Sequence, residues 1–434
     1  MKAYPTIVAL SSGAGRAGVA VVRVSGERVR FVVETIAGSV PEARKASYRA
    51  LRDRDGTVID HGLVLFFPAP ASFTGEDVAE FHIHGSRAVQ SRLLSILTTL
   101  PGLRLAEAGE FTRRAFEAGK LDLAAVEGLA DLIDSETEWQ RRQALRQMEG
   151  ALGLAAADWR AALIKAMTQL EAEIDFSDEG DVGGPLIAEA IAGAQGVLGS
   201  LRVALGSFAA GERVREGFVV VLAGPPNAGK SSLLNALARR NIAIVSPIAG
   251  TTRDAIEVRL DLGGIPVVLV DTAGLRDSGD EIEAEGVRRA RQKAAHADLV
   301  LRLRAPDTEP ERSDSGPTGI AVATKIDLGG SARSGEVGVS TVTGAGLPEL
   351  IELIASRLGK LGQAEPALVT RERQRVAVAD AVLAIERAAL LPHEHPELIA
   401  EELRLAVRAL ERLIGKVDVE DVLDSLFSGF CIGK

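Results

Sequence analysis

The spacing of apolar and polar positions divides this chain into two kinds of territory. Between residues 213 and 361, continuous apolar runs are set between turns and short helical patterns. They are Phe218-Val219-Val220-Val221-Leu222, Val267-Val268-Leu269-Val270, Leu299-Val300-Leu301 and Ile320-Ala321-Val322-Ala323, with a strand-like Ile242-Ala243-Ile244-Val245 among them. Runs of that length, bounded by Gly and Asp, predict buried strands of an α/β domain. Residues 1–119 alternate shorter apolar runs with turns, as in Gly18-Val19-Ala20-Val21-Val22-Arg23-Val24 and Gly62-Leu63-Val64-Leu65-Phe66-Phe67, and predict an α+β domain. Residues 120–212 and 362–434 are helical in period, with continuous helices expected over 121–132, 139–152 and 372–414. Residues 178–185 read as a loop between helices. The organisation predicted is an N-terminal α+β domain, 1–119, and a discontinuous helical domain, 120–212 with 362–434, into which the α/β domain is inserted. Within the insert, residues 304–319 are rich in Pro, Asp, Ser and Glu and predict a crossover without a full helix.

Composition narrows the classes open to such a chain. At 434 residues, two or three cores are expected. No apolar run approaches the length of a bilayer span, and the N-terminus lacks the charged and apolar regions of a signal peptide. A single cysteine, Cys431, excludes an intramolecular disulfide framework and points to a reducing, cytoplasmic setting. A net charge of −10 argues against coating nucleic acid by charge alone, while leaving room for a local basic site or a basic partner.

The sharpest chemical signal is Gly224-Pro225-Pro226-Asn227-Ala228-Gly229-Lys230-Ser231, directly after one apolar run and followed by Ser232 and a helical pattern. Strand, glycine loop and helix in that order form a phosphate-binding loop, in which backbone N–H groups and the positive helix end cradle phosphates. Lys230 reaches the β- and γ-phosphates and Ser231 holds Mg²⁺. Asp271-Thr272-Ala273-Gly274 closes the second strand, where a GTPase keeps its Mg²⁺-shell carboxylate and γ-phosphate-sensing glycine. Gly250-Thr251-Thr252 supplies a threonine, Thr252, for Mg²⁺. Thr324-Lys325-Ile326-Asp327 stands where guanine is read, with Asp327 accepting two hydrogen bonds from the guanine edge, a donor pair that adenine does not offer. Four such segments in this order define a Ras-like P-loop GTPase domain.

These motifs resemble the MnmE (TrmE) family of tRNA-modifying GTPases over essentially the whole chain. The likeness rests also on Thr6-Ile7-Val8-Ala9, on Val22-Arg23-Val24-Ser25-Gly26, and on Phe73-Thr74-Gly75-Glu76-Asp77-Val78-Ala79-Glu80-Phe81-His82-Ile83-His84-Gly85. It extends through Ala108-Gly109-Glu110-Phe111-Thr112-Arg113-Arg114-Ala115-Phe116 to Lys120-Leu121-Asp122-Leu123 and the terminal Phe430-Cys431-Ile432-Gly433-Lys434. The resemblance implies an N-terminal domain that dimerises and binds 5-formyl- or methylene-tetrahydrofolate, through positions matching Arg23, Glu80, Lys120 and Lys434. Basic groups suit the glutamate tail of such a ligand and a carboxylate suits the donor edge of its pterin. Glu80, His82 and His84 alternate on one strand face, but about 13 Å separates the outer pair, too far for one metal ion. Cys431 reads equally as a small buried hydrophobe or as a participant in the chemistry.

Leu275 occupies the place where many small GTPases keep a water-orienting glutamine. The resemblance implies that Glu283 takes over that task. It also implies that K⁺ replaces an arginine finger, held by Asn227, Ser246, Ile248 and Thr251 when two GTPase domains pair. The segment Ser246-Pro247-Ile248-Ala249-Gly250 would then line the nucleotide, with Ser340-Thr341-Val342 closing over the guanine oxygen. Thr324 departs from the family's Asn, and Ser340-Thr341-Val342 from its usual Ser-Ala, so a loss of nucleotide affinity is expected. The function implied is the GTP-hydrolysing subunit of a complex with an FAD-dependent, MnmG-like protein. That complex would add a carboxymethylaminomethyl or aminomethyl-type group at C5 of the tRNA wobble uridine. A ribosome-assembly GTPase is the other reading, and such a switch would have no use for a folate site.

Overall fold

The computed structural model describes residues 5–13, 15–175, 185–240, 257–271, 297–306, 319–362, 366–417, 420–430 and 432–433. The chain forms two compact units, Met1–Ala130 with Glu411–Lys434, and Asp131–Leu410.

The first unit is built on a six-stranded sheet of order β3-β4-β5-β2-β1-β6. Its strands are β1 (Thr6–Leu10), β2 (Ala17–Ser25), β3 (Ser47–Arg52), β4 (Val58–Phe67), β5 (Val78–Gly85) and β6 (Leu103–Leu105). Every pairing is antiparallel except β1 with β6. Strand alternation does the sorting. Phe81 and Ile83 of β5 point to the face covered by helices α1 (Val29–Ala37) and α2 (Arg87–Thr99), where they join Val22, Val33 and Leu97 in the core. Glu80, His82 and His84 consequently point to the other face. Over part of that face lies α3 (Glu110–Glu117), whose Phe111 packs with Ile7 and Ala9. The C-terminal helix α13 (Glu420–Ser428) sets Phe427 against Val126 of α4 (Leu123–Ile133).

The second unit carries a six-stranded sheet of order β12-β11-β10-β7-β9-β8. The strands are β7 (Phe218–Ala223), β8 (Glu257–Leu262), β9 (Ile265–Asp271), β10 (Leu299–Arg304), β11 (Gly319–Ala323) and β12 (Glu336–Gly338). All pairings are parallel except β8 with β9, and β9 is buried along its whole length, as its unbroken apolar sequence requires. Helices α9 (Lys230–Arg240) and α10 (Leu347–Gly359) contribute Leu233, Leu237, Leu350 and Ile354 to the core. Among the described residues the remaining helices are α5 (Glu138–Met148), α6 (Ala151–Asp175), α7 (Pro185–Gly206), α8 (Phe208–Glu216), α11 (Glu372–Leu390) and α12 (Pro396–Leu413). Three glutamines of α5 are buried, and their amides donate to main-chain carbonyls: Gln140 to Arg215, Gln143 to Gly211 and Gln147 to Ala367. These bonds satisfy the buried amide N–H groups, while Oε1 of Gln147 has no partner among the described residues.

The helices expected over 139–152 and 372–414 are each divided. The first breaks at Glu149–Gly150, where α5 ends and α6 begins. The second breaks across residues 391–395, where Pro392 and Pro396 cannot continue a helix. A second difference concerns apolar length. Residues Leu186–Glu216 contain a helix long and apolar enough to cross a membrane by length and composition alone. Its residues Ile187, Ala190, Ala194, Val197 and Leu201 are buried, and α7 packs on α6 and α11, so the Ala-rich face belongs to a helical core. The strand-like 242–245, most of the crossover 304–319 and most of the loop 178–185 lie outside the described residues.

Candidate functional site

The phosphate loop grows out of β7, the central strand against which β9 and β10 pair. At its start Gly224 has φ +151°, and a Cβ there would stand 2.5 Å from the Leu303 carbonyl oxygen, so only glycine lets the loop leave the sheet. Asn227 takes a left-handed conformation, φ 64°, at the exposed crest. Gly229 accepts from the Leu233 N–H, which opens α9 and leaves the N–H groups at its start aimed into the loop.

Lys230 is buried, and its ammonium donates to the carbonyls of Gly224 and Pro225, at 2.5 and 3.0 Å. The loop thereby holds a cation at its centre, where an anion is to sit. Ser231 begins the helix with its hydroxyl donating to Oδ2 of Asp271 at 2.7 Å. Register explains the meeting, because Asp271 lies opposite Leu222 at the end of β9. A hydroxyl and a carboxylate oxygen so close are hard donors of the kind that share Mg²⁺. Ser232 is exposed on the first turn of α9 and Ala228 is buried below the loop.

Thr324 follows β11 and is 3% exposed. Its hydroxyl lies 2.7 Å from the Ala228 carbonyl and 3.2 Å from that of Arg304. Lys325 adopts φ 54°, and Asp327 lies exposed on the short turn Ile326–Leu328. Alongside, buried Ser340 accepts at its Oγ from the N–H groups of Val342 and Thr343, which folds Thr341 and Val342 into a turn at the surface. The structure therefore brings together, at one end of the sheet, Asn227, Ala228, Gly229, Lys230, Ser231, Ser232, Asp271, Thr324, Lys325, Asp327, Ser340, Thr341 and Val342. Residues 246–252, 272–274 and Glu283 lie outside the described residues.

In the first unit, Arg23 and Glu80 stand opposite each other on β2 and β5 and form an ion pair, Nη2 to Oε1, at 2.9 Å. The guanidinium lies over the rings of Phe73 and Phe111, 5.6 and 5.7 Å from their centroids. These aromatic neighbours were not singled out in the sequence, although both fall inside the segments quoted for the resemblance. The loop bearing Phe73 is fixed from beneath. Ser25 donates to Glu76 at 2.7 Å, and Arg114 reaches Glu76 at 3.0 Å and Glu110 at 2.8 Å. Burial pushes the Glu110 carboxyl up, but hydrogen bonds from Arg104, the Glu107 N–H and Arg114 outweigh it and hold the carboxyl below its ordinary value of 4.5. Lys120 is exposed and its Cε lies against Gly75 of the same loop.

The C-terminal tail returns to this unit. Ile432 bridges Ala108, Ser11 donates to the Gly433 carbonyl at 2.9 Å, and Gly433, φ +101°, has no room for a Cβ beside the Leu10 carbonyl oxygen. Cys431 and Lys434 lie outside the described residues. Histidines 82 and 84 do not share a ligand set, since His84 is bonded to Asp60, and among the described residues no group of three metal-ligating side chains occurs.

Strand order, phosphate loop and the Ser231–Asp271 pair define the second unit's sheet as a P-loop GTPase domain. A family model described as the MnmE helical domain matches residues 123–431, and one described as the GTP-binding protein TrmE N-terminus matches residues 6–120. The chain is 54% identical over 431 residues to the tRNA modification GTPase MnmE of Azorhizobium caulinodans, covering 99% of each chain. It is 52% identical over 437 residues to that of Parvibaculum lavamentivorans, covering 99% of this chain and 100% of the other. The chain belongs to the family of the tRNA modification GTPase MnmE.

Proposed function

We propose that this chain is the GTP-hydrolysing subunit of a machinery that modifies the wobble uridine of tRNA at C5, with a carboxymethylaminomethyl or aminomethyl-type group as product. The observation that carries the GTPase half is the Ser231–Asp271 bond beneath a loop whose lysine is already held at its centre. Full-length identity to relatives named for tRNA modification supports the other half.

In the proposed reaction Lys230 and the N–H groups opening α9 bind the phosphates. Ser231, with Thr252 and with Asp271 in the outer shell, would hold Mg²⁺, which supplies charge neutralisation across the β- and γ-oxygens. Asp327 reads the guanine edge, assisted by the 340–342 turn. Glu283 orients the attacking water in place of a glutamine. Asn227, with Ser246, Ile248 and Thr251, would hold K⁺, which supplies the positive charge otherwise given by an arginine finger. An exposed amide oxygen at the loop crest fits such a cation.

In the first unit Arg23, Glu80, Lys120 and Lys434 would hold a reduced folate as one-carbon donor, with Cys431 beside it. Support comes from the Arg23–Glu80 pair framed by Phe73 and Phe111, and from a tail tied to the same unit. A homodimer through this unit is supported by its outer sheet face, where neighbouring Tyr48 and Leu63 remain 67% and 39% exposed. An FAD-dependent, MnmG-like protein completes the proposed complex. Steady-state GTP hydrolysis in KCl against NaCl tests the nucleotide chemistry. Faster turnover in K⁺, with the difference lost in Asn227→Ala, is expected; equal rates in both salts would remove the K⁺ assignment.

A further inference from the structure

Of the alternation Glu80-x-His82-x-His84 the two histidines are without a role in the proposed chemistry, and the structure separates its members. His84 belongs to Asp60: its backbone N–H and Nδ1 lie 2.8 Å from the two carboxylate oxygens. His82 belongs to Glu80, with Nε2 3.2 Å from Oε2. The other oxygen, Oε1, accepts from Arg23 Nε at 3.0 Å and Nη2 at 2.9 Å. A carboxylate paired with a guanidinium offers only lone pairs, so the Nε2 facing it carries the proton. Glu80 is thus gripped at both oxygens, by β2 on one side and by its own strand on the other. Its side chain and that of His82 keep 17% and 29% exposure, so the carboxylate is reached from solvent and still held.

We propose that His82 is a positioning residue for ligand recognition: it fixes Oε2 so that Glu80 presents that oxygen as a preset acceptor to an N–H donor at the edge of a planar ring. This rests on the folate reading of the site and names the donor concerned, the 2-amino group of a reduced pterin. Arg23 fills both lone pairs of Oε1 and His82 takes one of Oε2, so Oε2 keeps one lone pair for a further donor. A glutamate held by Arg23 alone would rotate about its terminal torsion, which has broad wells, and each bond to the ligand would then cost ordering entropy. Arg23 is itself immobilised between Phe73 and Phe111, so the carboxylate has rigid supports on both sides. His82 is fixed in turn by the close approach of β4, where a Cβ on Gly62 would stand 2.2 Å from the His82 carbonyl oxygen.

Calorimetric titration of the full chain with 5-formyltetrahydrofolate tests this, using His82→Leu, which removes the donor, and His82→Gln, whose amide N–H replaces it. The wild type binds; His82→Leu binds about tenfold more weakly, the worth of one positioned hydrogen bond to a charged acceptor, and His82→Gln recovers most of the loss. With an analogue carrying methyl in place of the 2-amino group, wild type and His82→Leu bind alike, which a merely structural role would not produce. A wild type that binds no folate overturns the folate reading and the proposal with it. A folate-binding wild type matched by His82→Leu overturns the role of His82 alone, as does a His82→Gln variant no better than Leu.

Discussion

Thr324 donates its hydroxyl proton to the carbonyl of Ala228, 2.7 Å away and buried, tying the loop that follows β11 to the phosphate loop. One hydroxyl has one proton, so this bond uses it, and no second polar group remains on the side chain to reach a base. The threonine therefore keeps two loops in register while base reading, in the proposed function, falls to Asp327 and the 340–342 turn. Thr324→Val keeps the shape and leaves the Ala228 carbonyl without that donor. GTP affinity is expected to fall about tenfold, and Thr324→Ser to stay near wild type, in equilibrium binding with a fluorescent nucleotide. Equal affinities for Val and wild type would show that the tie does nothing for the nucleotide.

Ser231→Ala removes the hydroxyl that faces Asp271. Hydrolysis is expected to drop by about two orders of magnitude, with the Mg²⁺ concentration needed for half-maximal rate rising. A rate loss without any change in Mg²⁺ dependence would assign Ser231 a role in helix capping instead.

Glu110 links acid stability to the polar network under the first unit's site. Its carboxyl is held below its ordinary value, so the stabilisation it contributes is present above that value and is lost as pH falls through the lower, folded-state one. The sign is that of a depressed carboxylate: protonation favours the unfolded chain. Glu110→Gln should lower the unfolding temperature at pH 7 and make it less sensitive to acidification below about pH 4.5. Parallel melting curves of variant and wild type across that range would contradict the assignment.

The tail is tested at Gly433. A Cβ there would lie 2.2 Å from the Leu10 carbonyl oxygen, in a backbone conformation that side chains rarely adopt. Gly433→Ala should weaken folate binding at least about tenfold, leaving GTP hydrolysis unchanged. Undiminished folate affinity would separate the tail from the folate site.

How much of this was legible in the sequence follows from how local each device is. The phosphate loop and its strand were readable because loop, cation and hydroxyl lie within a few residues, and the apolar runs named the strands around it. The contact of Ser231 with Asp271 needed only the parallel pairing of β7 with β9. The break between α5 and α6 was missed because Ala and Leu continue past Gly150 in helical period. The break after Leu390 had a signal in Pro392 and Pro396 that the surrounding apolar period outweighed. Phe73 and Phe111 gave no sign of flanking Arg23, since their meeting depends on α3 crossing the sheet. The tail's return to Ser11 spans 422 residues and has no local pattern.

The most direct measurement is modified-nucleoside analysis of tRNA from cells lacking this chain, complemented with wild type or with Lys230→Ala. Loss of the aminomethyl-type modification at wobble uridine, restored by wild type and not by Lys230→Ala, is the result predicted. An unchanged nucleoside profile in the deletion, or full restoration by Lys230→Ala, would contradict a role for GTP hydrolysis by this chain in tRNA modification.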